Sequence, residues 1–383
     1  MRIRRLRLVR VAMPLVSPFR TSFGVQATRD VLLVHVEARV DGVDVEGWGE
    51  CAAHAEPFYN EEFTEAAVVV LRRFLVPAVV TVGDDLTGAS VASACSQVKG
   101  YRAAKAGLEM AVLDAELRAT GMPLAERLGA TRPAADVGVS VGIATTVDQL
   151  VEQVAGYVAD GYGRVKLKVM PGWGAEPVGA VRAAFPSLPL QVDANAGYDP
   201  VDASHAEQLA ALDRFGLLMI EQPFGPDEWA AHAALASRLD TPICLDESIL
   251  SARHAAHALD VAACRIVNIK VGRVGGVLES VRVHDACRDR GVPVWCGGML
   301  ETGVGRAANL AVAALPGCTF PADLSASDRY WRRDITEPFG LVPGTSTIAV
   351  PTGAGLGVQV DDAVLDELGA TYDDVWPAHG EVH

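Results

Sequence analysis

The stretch RVKLKV, residues 164–169, places two lysines two positions apart inside an apolar run. In a β-strand, residues i and i+2 point to the same face, so Lys166 and Lys168 would lie side by side. Lysine is almost never fully buried unless it is paired or functional. Two adjacent ammonium groups repel each other, which favours the neutral amine on one of them. The pattern therefore indicates either a buried ion-pair network or a lysine that acts as a base near neutral pH.

Acidic residues end three later apolar runs, in VDAN, IEQP and LDES. They are Asp193, Glu221 and Asp246, which lie 28 and 25 residues apart. If these runs are neighbouring strands of one barrel, the three carboxylates converge and need a cation between them. Oxygen ligands with no Cys or His beside them favour Mg²⁺. The alternative is three separate acids that cap helices or form salt bridges.

Lys270, in VNIK, ends the next apolar run. It would flank the acids on the side opposite Lys168. A lysine base beside a metal that polarises a carboxylate is suited to removing a neighbouring proton. Arg273, three residues further on, either lowers the pKa of Lys270 or caps a loop.

The elements that would position these residues recur at near-constant intervals. Short β-rich runs begin at residues 138, 164, 188, 216, 241, 264, 292 and 318, at intervals of 26, 24, 28, 25, 23, 28 and 26 residues. Ala-rich helical stretches such as DASHAEQLAAL lie between most of them. Eight strand–helix steps predict an α/β protein with a parallel (β/α)8-type barrel, whose chemistry lies at the C-terminal ends of its strands. An open doubly wound sheet is the rival, but no GxGxxG follows the first strand.

The segments on either side of the barrel differ from it in pattern. In residues 1–130, IRRLRLVRV, VLLVHVEARVD and VEGWGE predict a meander with a turn at Asp41-Gly42, and helices are expected over 61–76 and 101–120. The barrel is expected to span 131–333. Residues 334–383 contain no further barrel unit, and LVPGTSTIAVPTGAGLGV is expected to return as strands to the N-terminal domain.

Charge and composition exclude several classes of partner. Lys and Arg number 33 and Asp and Glu number 48 in 383 residues, a formal net charge of −15. Such a surface argues against nucleic acid and anionic membranes as partners. No run approaches the ~20 apolar residues of a membrane span. The 7 cysteines are scattered without a CxxC pair, so we expect a reduced, cytoplasmic protein.

The motifs, taken in order, carry a resemblance. KLK, VDAN, IEQP, LDES and VNIKVGRVGG resemble the enolase superfamily, in its muconate-lactonising subgroup. The resemblance covers essentially the whole chain. It implies a modified (β/α)7β barrel and an N-terminal α+β capping domain that the C-terminal segment completes. It also implies the lysine base and Mg²⁺-stabilised enediolate that are general to this superfamily.

The resemblance assigns roles residue by residue. Lys168 resembles the proton-abstracting base, Lys166 its modulator, and Lys270 the lysine across the substrate. The residues that resemble the Mg²⁺ ligands are Asp193, Glu221 and Asp246, and Mn²⁺ is expected to substitute. The residues expected to line the substrate pocket are Ser140, Asn195, Gly298, Met299 and Leu300, with Arg20 expected to meet a distal carboxylate of the substrate.

Within the subgroup, PFRTSFG, GWGECA and SASDRYW look most like the o-succinylbenzoate synthases and N-succinylamino acid racemases. This implies an enzyme that acts on a small-molecule carboxylate. The implied reaction is dehydration of 2-succinyl-6-hydroxy-2,4-cyclohexadiene-1-carboxylate in the menaquinone pathway, racemisation of N-acylamino acids, or both. Muconate cycloisomerisation and dipeptide epimerisation remain alternatives, and a Schiff-base aldolase would need no carboxylate triad. We also expect a homo-oligomer.

Overall fold

The computed structural model describes residues 1–21 and 24–377. In chain order the strands are β1 Arg2–Thr21, β2 Gly24–Val40, β3 Val43–Cys51, β4 Ala134–Asp136, β5 Val139–Val141, β6 Val165–Lys168, β7 Leu190–Asp193, β8 Ile220–Glu221, β9 Ile243–Leu245, β10 Ile266–Ile269, β11 Val294–Cys296, β12 Thr347–Ala349 and β13 Thr371–Trp376.

The helices alternate with the strands in the second half of the chain. In chain order they are α1 Thr64–Val70, α2 Val76–Thr81, α3 Gly88–Ala94, α4 Arg102–Thr120, α5 Leu124–Leu128, α6 Val147–Ala159, α7 Ala175–Ala184, α8 Ala203–Ala210, α9 Trp229–Ala236, α10 Ala252–Asp260, α11 Val271–Val274, α12 Val277–Arg288, α13 Gly303–Ala313 and α14 Asp362–Glu367. A π-helical turn, Leu71–Leu75, joins α1 to α2.

The N-terminal sheet is antiparallel, with the strand order β13-β1-β2-β3. Asp41 and Gly42 join β2 to β3 with φ angles of 48° and 89°. Positive φ at both positions is what the tightest hairpin turns require, and Asp-Gly supplies it readily. The predicted meander and its turn are confirmed.

Helix α4 packs closely against β3 because β3 carries two glycines. A Cβ on Gly47 would lie 2.2 Å from the Ala111 carbonyl oxygen, and one on Gly49 would lie 2.0 Å from the Gly107 carbonyl oxygen. Helix α4, Arg102–Thr120, spans nearly the range of 101–120 that the sequence predicts for it. The helix expected over 61–76 begins at 64 and continues through the π-helical turn into α2.

The barrel sheet is parallel and runs in sequential order from β5 to β11. Its strands are buried on both faces, because the helices cover the outside and side chains fill the inside. Beneath the lysines, an inner apolar layer is formed by Met219, Cys244, Ile266 and Trp295. Seven of the eight predicted strands are therefore regular strands.

The eighth segment closes the barrel without becoming a regular strand. On one side, Thr319 N–H donates to Val294 O at 3.1 Å and Asp323 N–H donates to Cys296 O at 2.9 Å. On the other side, Gly138 N–H donates to Ala322 O at 2.8 Å. The prediction of a regular strand beginning at residue 318 is wrong, since these hydrogen bonds are too sparse for a continuous ladder. The segment nevertheless lies between the last and the first strand of the barrel, where the eighth strand is expected.

The C-terminal segment contacts both parts of the molecule. Strand β12 pairs antiparallel with β4 beside the barrel, and β13 pairs antiparallel with β1 in the N-terminal sheet. The stretch beginning at Leu341 is expected to return as strands to the N-terminal domain, and it does reach that domain: Gly355 forms a bridge with Pro123, and Leu356 N–H donates to Asp114 Oδ1 at 2.7 Å. The expectation is wrong about the strands, because β12 pairs with β4 and none of the described residues of the stretch adds a strand to the N-terminal sheet. That sheet is completed by β13, some residues later. The boundaries at 130 and 333 stay a prediction.

In the described part of the chain, no helix is both long and apolar enough to cross a membrane.

Candidate active site

The predicted catalytic residues lie together at the C-terminal edge of the barrel sheet. Lys168 of β6 is in register with Asp193 of β7, and Asp193 is in register with Glu221 of β8. Asp246 and Lys270 directly follow β9 and β10. All of these side chains are buried. They meet because parallel strands of a barrel place their C-terminal ends on one side.

Lys166 is surrounded by carboxylates. Its Nζ lies 2.8 Å from Asp323 Oδ2, 3.0 Å from Glu221 Oε2 and 3.1 Å from Asp193 Oδ2. It also lies 5.1 Å from the centre of the Trp295 ring. Burial disfavours the ammonium form, but the carboxylates outweigh burial and raise the pKa of Lys166 above its usual value. Lys166 is therefore held as a cation.

Lys168 has fewer anionic partners. Its Nζ lies 2.6 Å from Asp193 Oδ2 and donates to Asn195 Oδ1 at 2.6 Å. Burial has the largest effect and lowers the pKa of Lys168, Asp193 opposes it, and the Lys166 ammonium lowers the pKa further. The net pKa lies below the usual value, so Lys168 loses its proton more readily than Lys166.

Lys270 reaches the site from β10, with three strands between it and β6. Its Nζ lies 2.8 Å from Asp246 Oδ2 and donates to Tyr59 Oη at 3.2 Å. Tyr59 Oη donates to Asp246 Oδ1 at 3.2 Å, and the Arg273 guanidinium pairs with the same carboxylate. Burial opposes the charge on Lys270, but the Tyr59 oxygen and the carboxylates of Glu247, Glu221 and Asp193 raise its pKa. Lys270 therefore keeps its positive charge.

A cavity of about 340 Å³ lies at this edge of the barrel, lined in part by the three lysines. The Ser140 Oγ is buried and has no hydrogen-bond partner among the described residues. Asn195 and Leu300 have φ angles of 43° and 60°, a backbone conformation that costs free energy and clusters at functional sites. Five of the residues predicted to line the substrate pocket do line the cavity: Ser140, Asn195, Gly298, Met299 and Leu300.

Arg20 is placed differently. It lies at the end of β1 with an exposed side chain, and it is not among the described residues that line the cavity. Its backbone carbonyl accepts a hydrogen bond from Ile143 N–H at 3.2 Å. Its neighbour Phe19 does line the cavity. The role of the Arg20 side chain stays a prediction.

Two groups at the site were missed from the sequence. Tyr59 lies in the loop after β3, and no strand repeat in the sequence points to that loop. Asp323 ends the eighth repeat, so the spacing that located the other strand ends contained a signal for it.

Asn268, on β10, donates to Glu221 Oε1 at 2.6 Å and fixes that carboxylate from the side opposite Lys166.

The donor set at this edge consists of oxygen atoms. Asp193, Glu221 and Asp246 are buried, and Glu247 Oε2 is a buried oxygen without a hydrogen-bond partner among the described residues. Buried carboxylates need positive charge beside them, and hard oxygen donors fit Mg²⁺. Within residues 1–21 and 24–377, no three His, Cys, Asp or Glu side chains converge as ligands of one ion. Lysine ammonium groups instead pair with the carboxylates, so the fit to a hard cation rests on donor chemistry.

Comparison with known families matches both halves of the chain. Residues 3–129 match the family model described as "Mandelate racemase / muconate lactonizing enzyme, N-terminal domain". Residues 149–364 match the one described as "Enolase C-terminal domain-like".

Individual relatives extend the match to nearly the full length. The chain is 53% identical to an N-succinylamino acid racemase of an Amycolatopsis species, over 96% of this chain and 98% of that protein. It is 47% identical to an o-succinylbenzoate synthase of Geobacillus kaustophilus, over 91% of each. The crystal structure of an enolase-superfamily member from Listeria innocua superposes with a TM-score of 0.91 at 36% identity, covering 98% of this chain and 100% of that one. The protein is therefore an enzyme of the enolase superfamily and belongs to its muconate-lactonising subgroup.

Proposed function

We propose that this enzyme is an Mg²⁺-dependent o-succinylbenzoate synthase that also racemises N-succinylamino acids. The observation that carries the proposal is the placement of Lys168 and Lys270. They reach one cavity from strands on opposite sides of a group of buried carboxylates. The names of the relatives at 47% and 53% identity support the same two activities.

Lys168 is the proposed base. Its lowered pKa raises the fraction of neutral amine near neutral pH, and the neutral amine is the form that accepts a proton. The hydrogen bonds to Asp193 and Asn195 orient its Nζ at the cavity. Lys168 would remove the proton on the carbon next to the substrate carboxylate.

Lys270 is the proposed electrostatic partner. Its raised pKa keeps it charged, and its contacts with Asp246 and Tyr59 fix the ammonium at the opposite wall. A fixed cation in a site with little water stabilises negative charge that develops as the proton leaves.

The residues proposed to hold Mg²⁺ are Asp193, Glu221 and Asp246, and Mn²⁺ is expected to substitute. When bound, the ion would supply positive charge beside the substrate carboxylate. We expect chelation to abolish turnover and either ion to restore it. Asp193→Asn, Glu221→Gln and Asp246→Asn should each lose most activity while remaining folded, and full activity in a metal-free preparation would refute the assignment.

In the dehydration, the C–H bond next to the carboxylate and the C–O bond to the hydroxyl break on the same face of the ring. The electron pair of the C–H bond becomes part of the new aromatic ring, and the proton and hydroxide leave as water. Only one base is needed. Lys168 would serve that purpose, and Lys270 would remain a cation throughout.

Racemisation of N-succinylamino acids is the second candidate, favoured by two lysines at opposite walls of one cavity. One lysine would remove the α-proton and the other would return a proton to the other face. In this reaction Lys270 must itself exchange a proton, so both lysines are required for conversion between enantiomers.

Deuterium exchange separates the roles of the two lysines. In D₂O, Lys270→Ala should exchange the α-proton of only the N-succinylamino acid enantiomer that presents it to Lys168, and Lys168→Ala should exchange only the opposite enantiomer. Neither variant should racemise. Dehydration should vanish in Lys168→Ala and fall severely in Lys270→Ala. Racemisation by Lys270→Ala at the wild-type rate would exclude the two-lysine site.

The proposed partner is a small-molecule carboxylate. The homo-oligomer and the cytoplasmic location stay predictions.

A further inference from the structure

The end of the first hairpin reaches from the N-terminal sheet to the cavity. We call it the arm and define it as residues 15–21 of β1 and 24–28 of β2. Two backbone hydrogen bonds tie it to barrel loops: Val16 N–H donates to Tyr330 O at 2.9 Å, and Ile143 N–H donates to Arg20 O at 3.2 Å. Between these two ties, Phe19 lines the cavity. The position of the arm therefore sets one wall of the substrate site.

One guanidinium lies where the arm meets the barrel. The Cζ of Arg329 is 5.1 Å from the centre of the Tyr157 ring, 5.3 Å from that of Tyr330 and 6.0 Å from that of Phe19. These rings come from three elements: α6, the segment after the eighth barrel repeat, and the arm. A cation over several aromatic faces is attracted to each of them. Arg329 thus joins the arm to two parts of the barrel.

The same side chain contacts the cavity wall from behind. Its Nη2 lies 3.5 Å from the carbonyl oxygen of Ser140, and its Nε is buried without a hydrogen-bond partner among the described residues. Ser140 and Tyr330 both line the cavity, whereas Arg329 is not among the described residues that do. Its contacts with aromatic rings, rather than hydrogen bonds, dominate its surroundings.

We infer that Arg329 is a positioning residue for substrate binding, which fixes the wall formed by Phe19, Ser140 and Tyr330. It acts through the arm and does not touch the reacting atoms. Losing it should therefore weaken substrate binding and leave the chemical step nearly unchanged. The kinetic part of this inference rests on the proposed function.

The test compares Arg329→Met and Arg329→Lys with the wild type, using the racemase and dehydration assays. Arg329→Met keeps the unbranched apolar stem of the side chain but removes the guanidinium and its charge, and we expect KM to rise about fivefold with kcat within twofold of wild type. Arg329→Lys keeps a cation without the flat guanidinium and should fall between the two. The matched control is Arg214→Met, because the Cζ of Arg214 lies 4.9 Å from the centre of the Phe215 ring and Arg214 is not among the described residues that line the cavity.

Amide hydrogen exchange gives a readout that does not depend on the reaction. The amides of Val16 and Ile143 donate hydrogen bonds across the contact between the arm and the barrel. They should therefore exchange faster in Arg329→Met than in the wild type, and at the wild-type rate in Arg214→Met. If the wild type lacks both proposed activities, the proposed function fails, but this exchange result still tests Arg329.

Several outcomes would overturn the inference. They are an unchanged KM together with unchanged exchange, a lowered kcat at unchanged KM, and an Arg329→Lys enzyme no better than Arg329→Met. If Arg329→Met does not fold, Tyr157→Leu removes one of the three rings from a helix outside the cavity. That variant should raise KM in the same direction by a smaller factor, and a wild-type KM would overturn the inference.

Discussion

A buried carboxylate between the two halves of the molecule should make its stability depend on pH. Glu109 of α4 is 1% exposed, and its Oε1 accepts a hydrogen bond from Leu278 N–H of α12 at 2.8 Å. Gly276 leaves the space for it, since a Cβ there would lie 2.0 Å from Glu109 Oε2. Burial raises the pKa of Glu109 to about 7, although the Leu278 amide acts in the opposite direction.

The size and sign of the effect follow from that pKa. The usual value is 4.5, so a shift to about 7 corresponds to about 3.5 kcal/mol at about 1.4 kcal/mol per unit. Between these two pH values the folded protein keeps a proton that the unfolded chain has released. The free energy of unfolding should therefore fall as pH rises from 4.5, and the loss should be complete above about 7.

The assay is urea unfolding of the wild type and Glu109→Gln at pH 5 and pH 8. The variant keeps an acceptor for the Leu278 amide but cannot ionise. Between the two pH values the free energy of unfolding of the wild type should fall by about 2.5 kcal/mol relative to that of the variant. This is less than the full effect, because part of the loss of stability has already occurred at pH 5. Glu116→Gln, on the same helix but half-buried, controls for the loss of a glutamate. If wild type and Glu109→Gln show the same pH dependence within about 0.5 kcal/mol, the reasoning is refuted.

Three further predictions concern packing and the cavity mouth. Gly49→Ala should destabilise by about 3 kcal/mol or more in urea unfolding, because its Cβ would overlap the backbone of α4. Gly156→Ala, whose Cβ would have no atom of the described residues within 4 Å, should stabilise by up to about 1 kcal/mol. Leu190→Ala in the barrel wall should cost about 2 to 5 kcal/mol, and Val201→Ala, 90% exposed, less than about 0.5 kcal/mol. Arg20→Met should raise KM for succinylated substrates more than for acetylated ones. Equal effects on the two substrates would mean that Arg20 contributes only surface charge.

The spacing of the β-rich runs was the most informative part of the sequence. Because each interval is long enough for one helix and a return, it fixes which strands are neighbours and which residues share an edge. Lys168, Asp193, Glu221, Asp246 and Lys270 could therefore be placed together without coordinates. The regularity of the eighth strand could not, since it depends on hydrogen bonds to both neighbours that periodicity does not encode.

Contacts between the N-terminal domain and the site could not be predicted from the spacing of the strands. Tyr59 donates to Asp246, which lies 187 positions further along the chain. Nothing in the loop around Tyr59 repeats or alternates in a way that indicates its direction. Loops lack the periodicity of strands and helices, so the partner of a loop side chain is set by tertiary packing alone.

The pKa values of the two lysines of RVKLKV agree only in part with the prediction from their adjacency. Two adjacent ammonium groups should lower each other's pKa, and both lysines are buried, which should lower both values further. Only Lys168 behaves in this way. Lys166 lies within 3.1 Å of the carboxylates of Asp193, Glu221 and Asp323, and these raise its pKa despite the same burial.

The difference between the two lysines therefore depends on how many carboxylates each one reaches. Among the acids that the structure describes, Lys168 is paired with Asp193 alone, so burial and the neighbouring charge prevail over one carboxylate. The third partner of Lys166, Asp323, also pairs with Arg164 at 3.1 Å and stays ionised, because these cations outweigh burial and lower its pKa to about 2. Lys166, whose pKa is raised, then acts on Lys168 as a neighbouring positive charge and lowers its pKa. The Lys166 ammonium does lower the pKa of Lys168, as the sequence predicts, but acids far away in the sequence decide which of the two amines has the lowered pKa.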